Sequence, residues 1–246
     1  MYLRPLISFT RGEWAGMNYR PFAGIVFSAV VLFSLFYVSM NSASELVAVP
    51  AISELSDRTL IIDAGHGGAD GGAVSVTGKC ESEINLEIAK RIKLLAEFMG
   101  YKPVMTRETE EIIYPAEADT IRKKKVADTR ARVELVNSCK NGFLLSIHQN
   151  KYTSASPSGA QVFYKGDCEE LAKAVQSDFT RYVNADNKRT AKPVASDIYL
   201  FSKSECSGVL VECGFLSNPA EAGKLETTEH QKLLSTIIMG NISNYL

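Results

Sequence analysis

Apolar positions in this chain follow two patterns that alternate from Thr59 onward. Leu60–Asp63, Pro103–Thr106, Phe143–Ile147, Ala160–Tyr164 and Gly208–Val211 are short apolar runs bounded by polar or glycine-rich residues, and they read as strands. Between them Glu83–Met99 carries Ile84, Ile88, Ile92, Leu95 and Phe98 at helical spacing, with Gly100 as its stop. Asp119–Ser138 reads as a helix with Val126, Val133 and Val136 inward, and Glu169–Val183 and Thr228–Tyr245 read as two more. Strands alternating with helices predict an α/β single domain: a mostly parallel twisted sheet flanked by helices on both faces, with sites at the strand carboxyl ends.

A different pattern occupies the amino terminus. From Pro21 to Ser44 no residue is charged, and Phe22–Met40 is nearly all apolar. About nineteen helical residues at ~1.5 Å each span roughly 29 Å, close to the thickness of a bilayer core. Arg4, Arg11 and Arg20 precede the run and Glu45 and Glu54 follow it, so the positive-inside rule places the first segment in the cytoplasm and the rest outside. The expected organisation is a cytoplasmic segment at 1–20, a transmembrane anchor or uncleaved signal at 21–40, a linker at 41–57, and a folded domain at 58–246. A cleaved signal peptide is the rival reading, with Ala43 and Ala48 near plausible cleavage points, although its apolar core is normally shorter. Either reading exports the domain: a single-pass cell-membrane protein with the domain extracytoplasmic, or a secreted one.

Composition narrows the field further. Of 246 residues, 46% are hydrophobic and 22% charged, which describes a globular chain with ample core. A net charge of −1 leaves no basic surplus for phosphates and argues against nucleic acid as a partner. The run Arg122-Lys123-Lys124-Lys125 is the sole basic cluster and reads as a solvated helix face. The five cysteines show no paired spacing; a Cys206–Cys213 bridge is one option in an exported domain, and small apolar packing residues are the other.

The candidate chemistry sits where strands end. Two of the three histidines close apolar runs, His66 in Asp63-Ala-Gly-His-Gly-Gly and His148 in Ser146-Ile-His-Gln-Asn150, while Val209-Leu-Val ends in Glu212. The glycines around His66 lack the spacing of a dinucleotide fingerprint, and no Lys-Ser/Thr pair follows to make a phosphate loop. They let the backbone turn sharply and leave the imidazole open. Glu81 and Glu83 both suit the positive end of a helix, and spacing alone does not choose between them as ligands. Glu212 is costly at the end of an apolar strand unless it is paired or functional. His230, alone on the last helix, reads as a surface or packing residue.

Taken in order, Asp63-Ala-Gly-His-Gly-Gly-Ala-Asp70, Glu81 with Ile84-Asn-Leu86, Ser146-Ile-His-Gln-Asn150 and Val211-Glu-Cys-Gly-Phe-Leu-Ser-Asn218 resemble the four signature blocks of zinc-dependent N-acetylmuramoyl-L-alanine amidases. The likeness runs from about Asp57 to Leu246. It implies that His66, Glu81 and His148 bind Zn²⁺, with Glu81 rather than Glu83 chosen because it lies four residues before Asn85. It also implies that Glu212 is the catalytic carboxylate, and that the substrate is peptidoglycan, cut between the lactyl group of N-acetylmuramic acid and L-alanine of the stem. Ala64 replaces a frequent proline, and Gln149-Asn150-Lys151 departs from the usual block, but neither change touches an implied ligand. Asp63, Asp70, Arg107, Arg132, Asn150 and Asn218 match polar family positions, for which structural roles are expected.

Only ten residues separate His148 from Gly159. Some relatives insert a blocking helix there, so activity without an activator is expected, and any regulatory protein partner is left unidentified. The Arg122–Arg132 helix, Ser158–Tyr164 and Lys192–Leu200 resemble the spore-cortex branch, which strips stem peptides so that a muramic lactam can form, and a vegetative wall-remodelling amidase is the alternative to it. Two alternatives stand beside this reading: a non-catalytic, membrane-anchored wall-binding module, and a zinc peptidase acting within the stem.

Overall fold

The structure is a computed structural model that describes residues 58–246. Thirteen segments follow in order: β1 (Thr59–Ala64), α1 (Glu81–Phe98), β2 (Val104–Met105), α2 (Ile121–Ser138), β3 (Gly142–Asn150), β4 (Gln161–Lys165), α3 (Glu169–Asp178) with a π-helical turn at Phe179–Val183, β5 (Lys192–Pro193), α4 (Tyr199–Lys203), β6 (Ser207–Phe215), α5 (Pro219–Leu225) and α6 (Thr228–Tyr245). The strands form one sheet in the order β2-β1-β3-β6-β4-β5. It is a mixed sheet: β1 pairs in parallel with β2 and β3, β3 with β6, and β4 with β5, whereas β4 runs antiparallel to β6.

Side-chain alternation along the three central strands divides the core in two. Leu60, Ile62, Phe143, Leu145, Ile147, Val209 and Val211 face the larger layer, where Ile84, Ile88 and Ile92 of α1, Val175 of α3 and Leu234, Ile238 and Ile242 of α6 cover them. Ile61, Leu144 and Leu210 point the other way, onto Val136 of α2 and Leu200 and Phe201 of α4. Helices therefore lie on both faces, as the alternation of runs predicts, and the thinner layer leaves more of α2 in contact with water.

Two expectations need correction, and the cysteines follow the packing option. Phe98 is 88% exposed. The buried stripe of α1 runs Ile84, Ile88, Ile92, Ala96, and two residues beyond Ala96 is about 200° around a helix of 3.6 residues per turn. Val126 is likewise 43% exposed, because α2 buries only its Val133 and Val136 end against the sheet. All five cysteines are free thiols, so Cys206 and Cys213 are unbridged, and Cys213 packs in the larger layer. The short β5, α4 and α5 are additions to the expected elements.

The proposed anchor at 21–40 and linker at 41–57 lie outside the described residues. Among the described residues no helix is long and apolar enough to cross a membrane.

Candidate metal centre at the carboxyl edge of the sheet

His66 leaves β1 just beyond its last residue, and His148 lies near the carboxyl end of the adjacent β3. Glu81 is the first residue of α1. The helix starts there because Cys80 is its N-cap, and the Glu83 carboxylate accepts the Cys80 N–H at 3.0 Å. Glu83 thus serves as a cap, and Glu81 turns into the fold, where only 4% of it stays exposed. One ligand atom from each of His66, Glu81 and His148 lies within 4.8 Å of the others.

Glu81 is the hub. Its Oε1 lies 3.0 Å from His148 Nδ1 and accepts the Gln149 N–H at 3.1 Å. Its Oε2 accepts the Ala73 N–H at 2.9 Å and sits 3.3 Å from His66 Nε2. Burial works to raise the Glu81 carboxyl, but the imidazoles of His148 and His66 hold it well below the ordinary carboxylate range. Asn85 links the helix to the loop, donating to Gly65 O at 3.1 Å while its Oδ1 accepts from Gln149 Nε2 at 3.1 Å.

His66 is held from behind. Asp70, four residues on, meets its Nδ1 at 2.9 Å, and Lys125 of α2 meets Asp70 at 2.8 Å. Desolvation lowers the affinity of His66 for a proton, but Glu81 and Asp70 together raise it above its ordinary value. The basic run at 122–125 is therefore only partly a solvated face, since Lys125 reaches the support of a candidate ligand. That link joins distant segments, and no local pattern announces it.

Two arginines fix the backbone of the loop. Arg107 donates to the carbonyls of Ala64 (2.9 Å), Gly65 (3.1 Å) and Ser82 (2.7 Å). Arg132 donates to those of Ala64 (2.7 Å) and His66 (2.6 Å), and to Asp63 at 2.8 Å. Asp63 also accepts from Ser146 at 2.6 Å and from Thr106 at 2.8 Å. This clamp holds His66 at φ 60°, a left-handed conformation rare for a residue with a Cβ. Arg107, Arg132 and Asp63 thus have the structural roles expected of them, and Asn218 caps α5 through the N–H groups of Ala220 and Glu221.

Close packing explains one glycine. A Cβ at Gly65 falls 2.3 Å from His148 Cε1 and Nε2. Gly65→Ala is expected to displace that imidazole and weaken metal binding by about 10–100-fold, the range seen when outer-shell support of a ligand is lost. Titration of the variant with divalent metal ions against a competing chelator measures this, and an unchanged affinity would show that the ring has room to move.

Glu212 lies on β6 directly beside His148 on β3. Its Oε2 is shut off from solvent and has no hydrogen-bond partner. Burial raises its carboxyl above the ordinary value; the Glu81 charge adds to this, and the two imidazoles oppose it. The imidazoles of His66 and His148 keep 19% and 23% of their side-chain surface exposed over a carboxylate that keeps 5%. Residues 151–160, between β3 and β4, form no helix over this edge. His230 is half-buried away from the cluster, beside Lys224, as expected of a packing residue.

At the carboxyl edge of this α/β sheet two imidazoles meet the first carboxylate of α1, with a second carboxyl whose Oε2 has no partner alongside, an arrangement able to hold a metal ion. The donor set fits that group: two histidines and one carboxylate leave a position open for a reacting molecule. The family model for N-acetylmuramoyl-L-alanine amidase matches residues 60–244, and the chain belongs to that family. The germination-specific N-acetylmuramoyl-L-alanine amidase of Bacillus subtilis (strain 168) is 36% identical over 195 residues, which cover 78% of this chain and 81% of the relative. Among solved structures, the CwlD amidase from Clostridioides difficile, determined in complex with the GerS lipoprotein, superposes with a TM-score of 0.72 at 35% identity; the match covers 76% of this chain and 97% of that one. An N-acetylmuramoyl-L-alanine amidase from Clostridium difficile 630 follows at 0.64 and 27%, covering 76% and 96%. The chain is an enzyme of this class, and its substrate is peptidoglycan.

Proposed function

We propose that the chain is a zinc amidase, exported on its amino-terminal apolar segment, which removes stem peptides from peptidoglycan by cutting the bond between the lactyl group and L-alanine. His66, Glu81 and His148 hold the zinc, and Glu212 is the catalytic carboxyl. One observation carries this reading: three ligand atoms within 4.8 Å of one another stand beside a buried carboxyl oxygen that has no other partner.

Zinc bound there supplies a Lewis acid that polarises the amide carbonyl and makes water acidic enough to ionise near neutral pH. The protein's own groups do the rest. Asp70 fixes the proton of His66 on Nδ1, which leaves Nε2 to face the metal, and the N–H groups of Ala73 and Gln149 hold the Glu81 carboxylate in place. Glu212 accepts a proton from the attacking water and returns it to the departing amine nitrogen, for which a raised carboxyl pKa is suited. The exposed rings and the uncovered edge suit a polymer that lies across the site.

The similarity to a germination-specific relative supports a role in the spore cortex, where stripped muramic acid can close to a lactam. The short 151–160 segment supports activity without an activator. Mass spectrometry of peptidoglycan treated with the purified full-length protein tests the assignment. Free L-alanine amino termini and peptide-free glycan are expected, and they should vanish with chelator and return with zinc. Cuts inside the stem would make the protein a peptidase, and an inert protein that still binds wall would make it a binding module. Activity that needs an added protein partner would refute activator independence.

A further inference from the structure

Beside the loop that carries His66, one face of α2 is built unlike the rest of the helix. Arg122, Lys125, Val126, Thr129 and Arg130 recur at steps of three and four residues and, with Tyr199 of α4, line a groove of about 410 Å³. Val126 and Tyr199, 43% and 44% exposed, give it apolar surface. The cations in and around it are not equivalent. Lys123 pairs with Asp119, Lys125 with Asp70, and Arg132 with Asp63 and Asp128, while Arg122 and Arg130 enter no ion pair among the described residues. Lys125 belongs both to the groove and to the support of His66, so the groove opens next to the catalytic edge.

We infer that this groove seats the stem peptide of the substrate, with Arg122 and Arg130 taking its carboxylates and Val126 and Tyr199 its apolar groups. The inference rests on the amidase reading above. A stem peptide that is neither cross-linked nor amidated ends in a carboxylate, and acidic side chains along it add more. The eight-residue step from Arg122 to Arg130 covers about 12 Å of helix. That length matches about three to four residues of extended chain. Guanidinium groups spaced along such a groove meet carboxylates in a two-pronged fashion that lysine does not reproduce.

Steady-state kinetics on two soluble N-acetylmuramoyl peptides test this, one with free carboxylates and the other with the same carboxylates amidated. The enzyme is the zinc-loaded full-length protein. For the free-carboxylate substrate, Arg122→Glu with Arg130→Glu is expected to raise KM about 10-fold or more, in keeping with the loss of charged hydrogen bonds, while kcat stays within about twofold. The amidated substrate should already show the higher KM in the wild type and should not worsen in the variant. Arg122→Lys with Arg130→Lys should retain part of the preference, and salt should weaken it. Equal KM for wild type and the glutamate variant overturns the groove assignment alone, as does an equal loss on both substrates. A wild type that cleaves neither substrate overturns the amidase reading and the groove's role with it.

Discussion

Replacing Glu212 with glutamine is expected to lower kcat by about 10²–10⁴-fold, the usual contribution of a positioned acid–base group, while zinc stays bound. The side chain keeps its shape, so the neighbouring strands are undisturbed. What it loses is the capacity to take and release a proton. Glu212 lies beside His148 in the sheet but outside the cluster of three ligand atoms, which is why metal content should survive. The pH profile supplies a second readout. As a base the group must be ionised, and its carboxyl is raised by burial, so wild-type activity should fall as pH drops through that raised value. In Glu212→Gln the acidic limb should lose this component. Metal analysis of the purified variant decides the role: zinc lost together with activity would make Glu212 a ligand and void the assignment.

The largest loss of stability is expected from Arg132→Met. The Arg132 and Asp63 side chains keep 6% and 2% of their surface exposed, and their 2.8 Å contact is one of four hydrogen bonds from Arg132 to Asp63, Asp128, Ala64 and His66. Removing the cation leaves Asp63 buried beside Ser146 and Thr106 alone. Breaking a buried pair in this way costs about 3–5 kcal/mol, measurable by urea denaturation. The sign of the pH dependence follows. Burial raises Asp63, but Arg132 and the other partners hold it below its ordinary 3.8 in the wild type, so its stabilisation is present above that pH and is lost as pH falls through the depressed value. Without Arg132 burial dominates, and the deficit should shrink in acid, where Asp63 is neutral. Adding Asp63→Asn should restore part of the loss at neutral pH. A double variant no more stable than Arg132→Met would show that the carbonyl contacts to Ala64 and His66, not the charge pair, carry the effect.

What could be read from the chain follows the range of the interactions. The central strands and the main helices announce themselves through periodicity, and His66, His148 and Glu212 stand out because a polar group ends an apolar run. Choosing Glu81 over Glu83 took the family blocks; the structure gives the physical reason, since Glu83 closes the cap on Cys80 and leaves Glu81 to turn inward. The arginine clamp joins residues too far apart for any local pattern to reveal. Periodicity also misplaced Phe98 and Val126, because an apolar residue at helical spacing does not show where its helix runs past the sheet. The antiparallel course of β4 is a matter of topology, which strand composition does not carry. For α5 a usable signal was present, Asn218 followed by Pro219, the pattern of a capped helix start.

The way Glu81 binds has a consequence for the order of assembly. Its contact with His148 closes a loop of 67 residues, Arg132 reaches Asp63 across 69, and Ser146 reaches the same carboxylate across 83. Contacts of such span repay their chain entropy only after the segments between them have condensed. The β1–β3 pairing sets Asp63 opposite Ser146 and brings His148 to the same edge as the His66 loop. Catalytic competence is therefore a late acquisition of the folding chain, gained when the sheet is already in place.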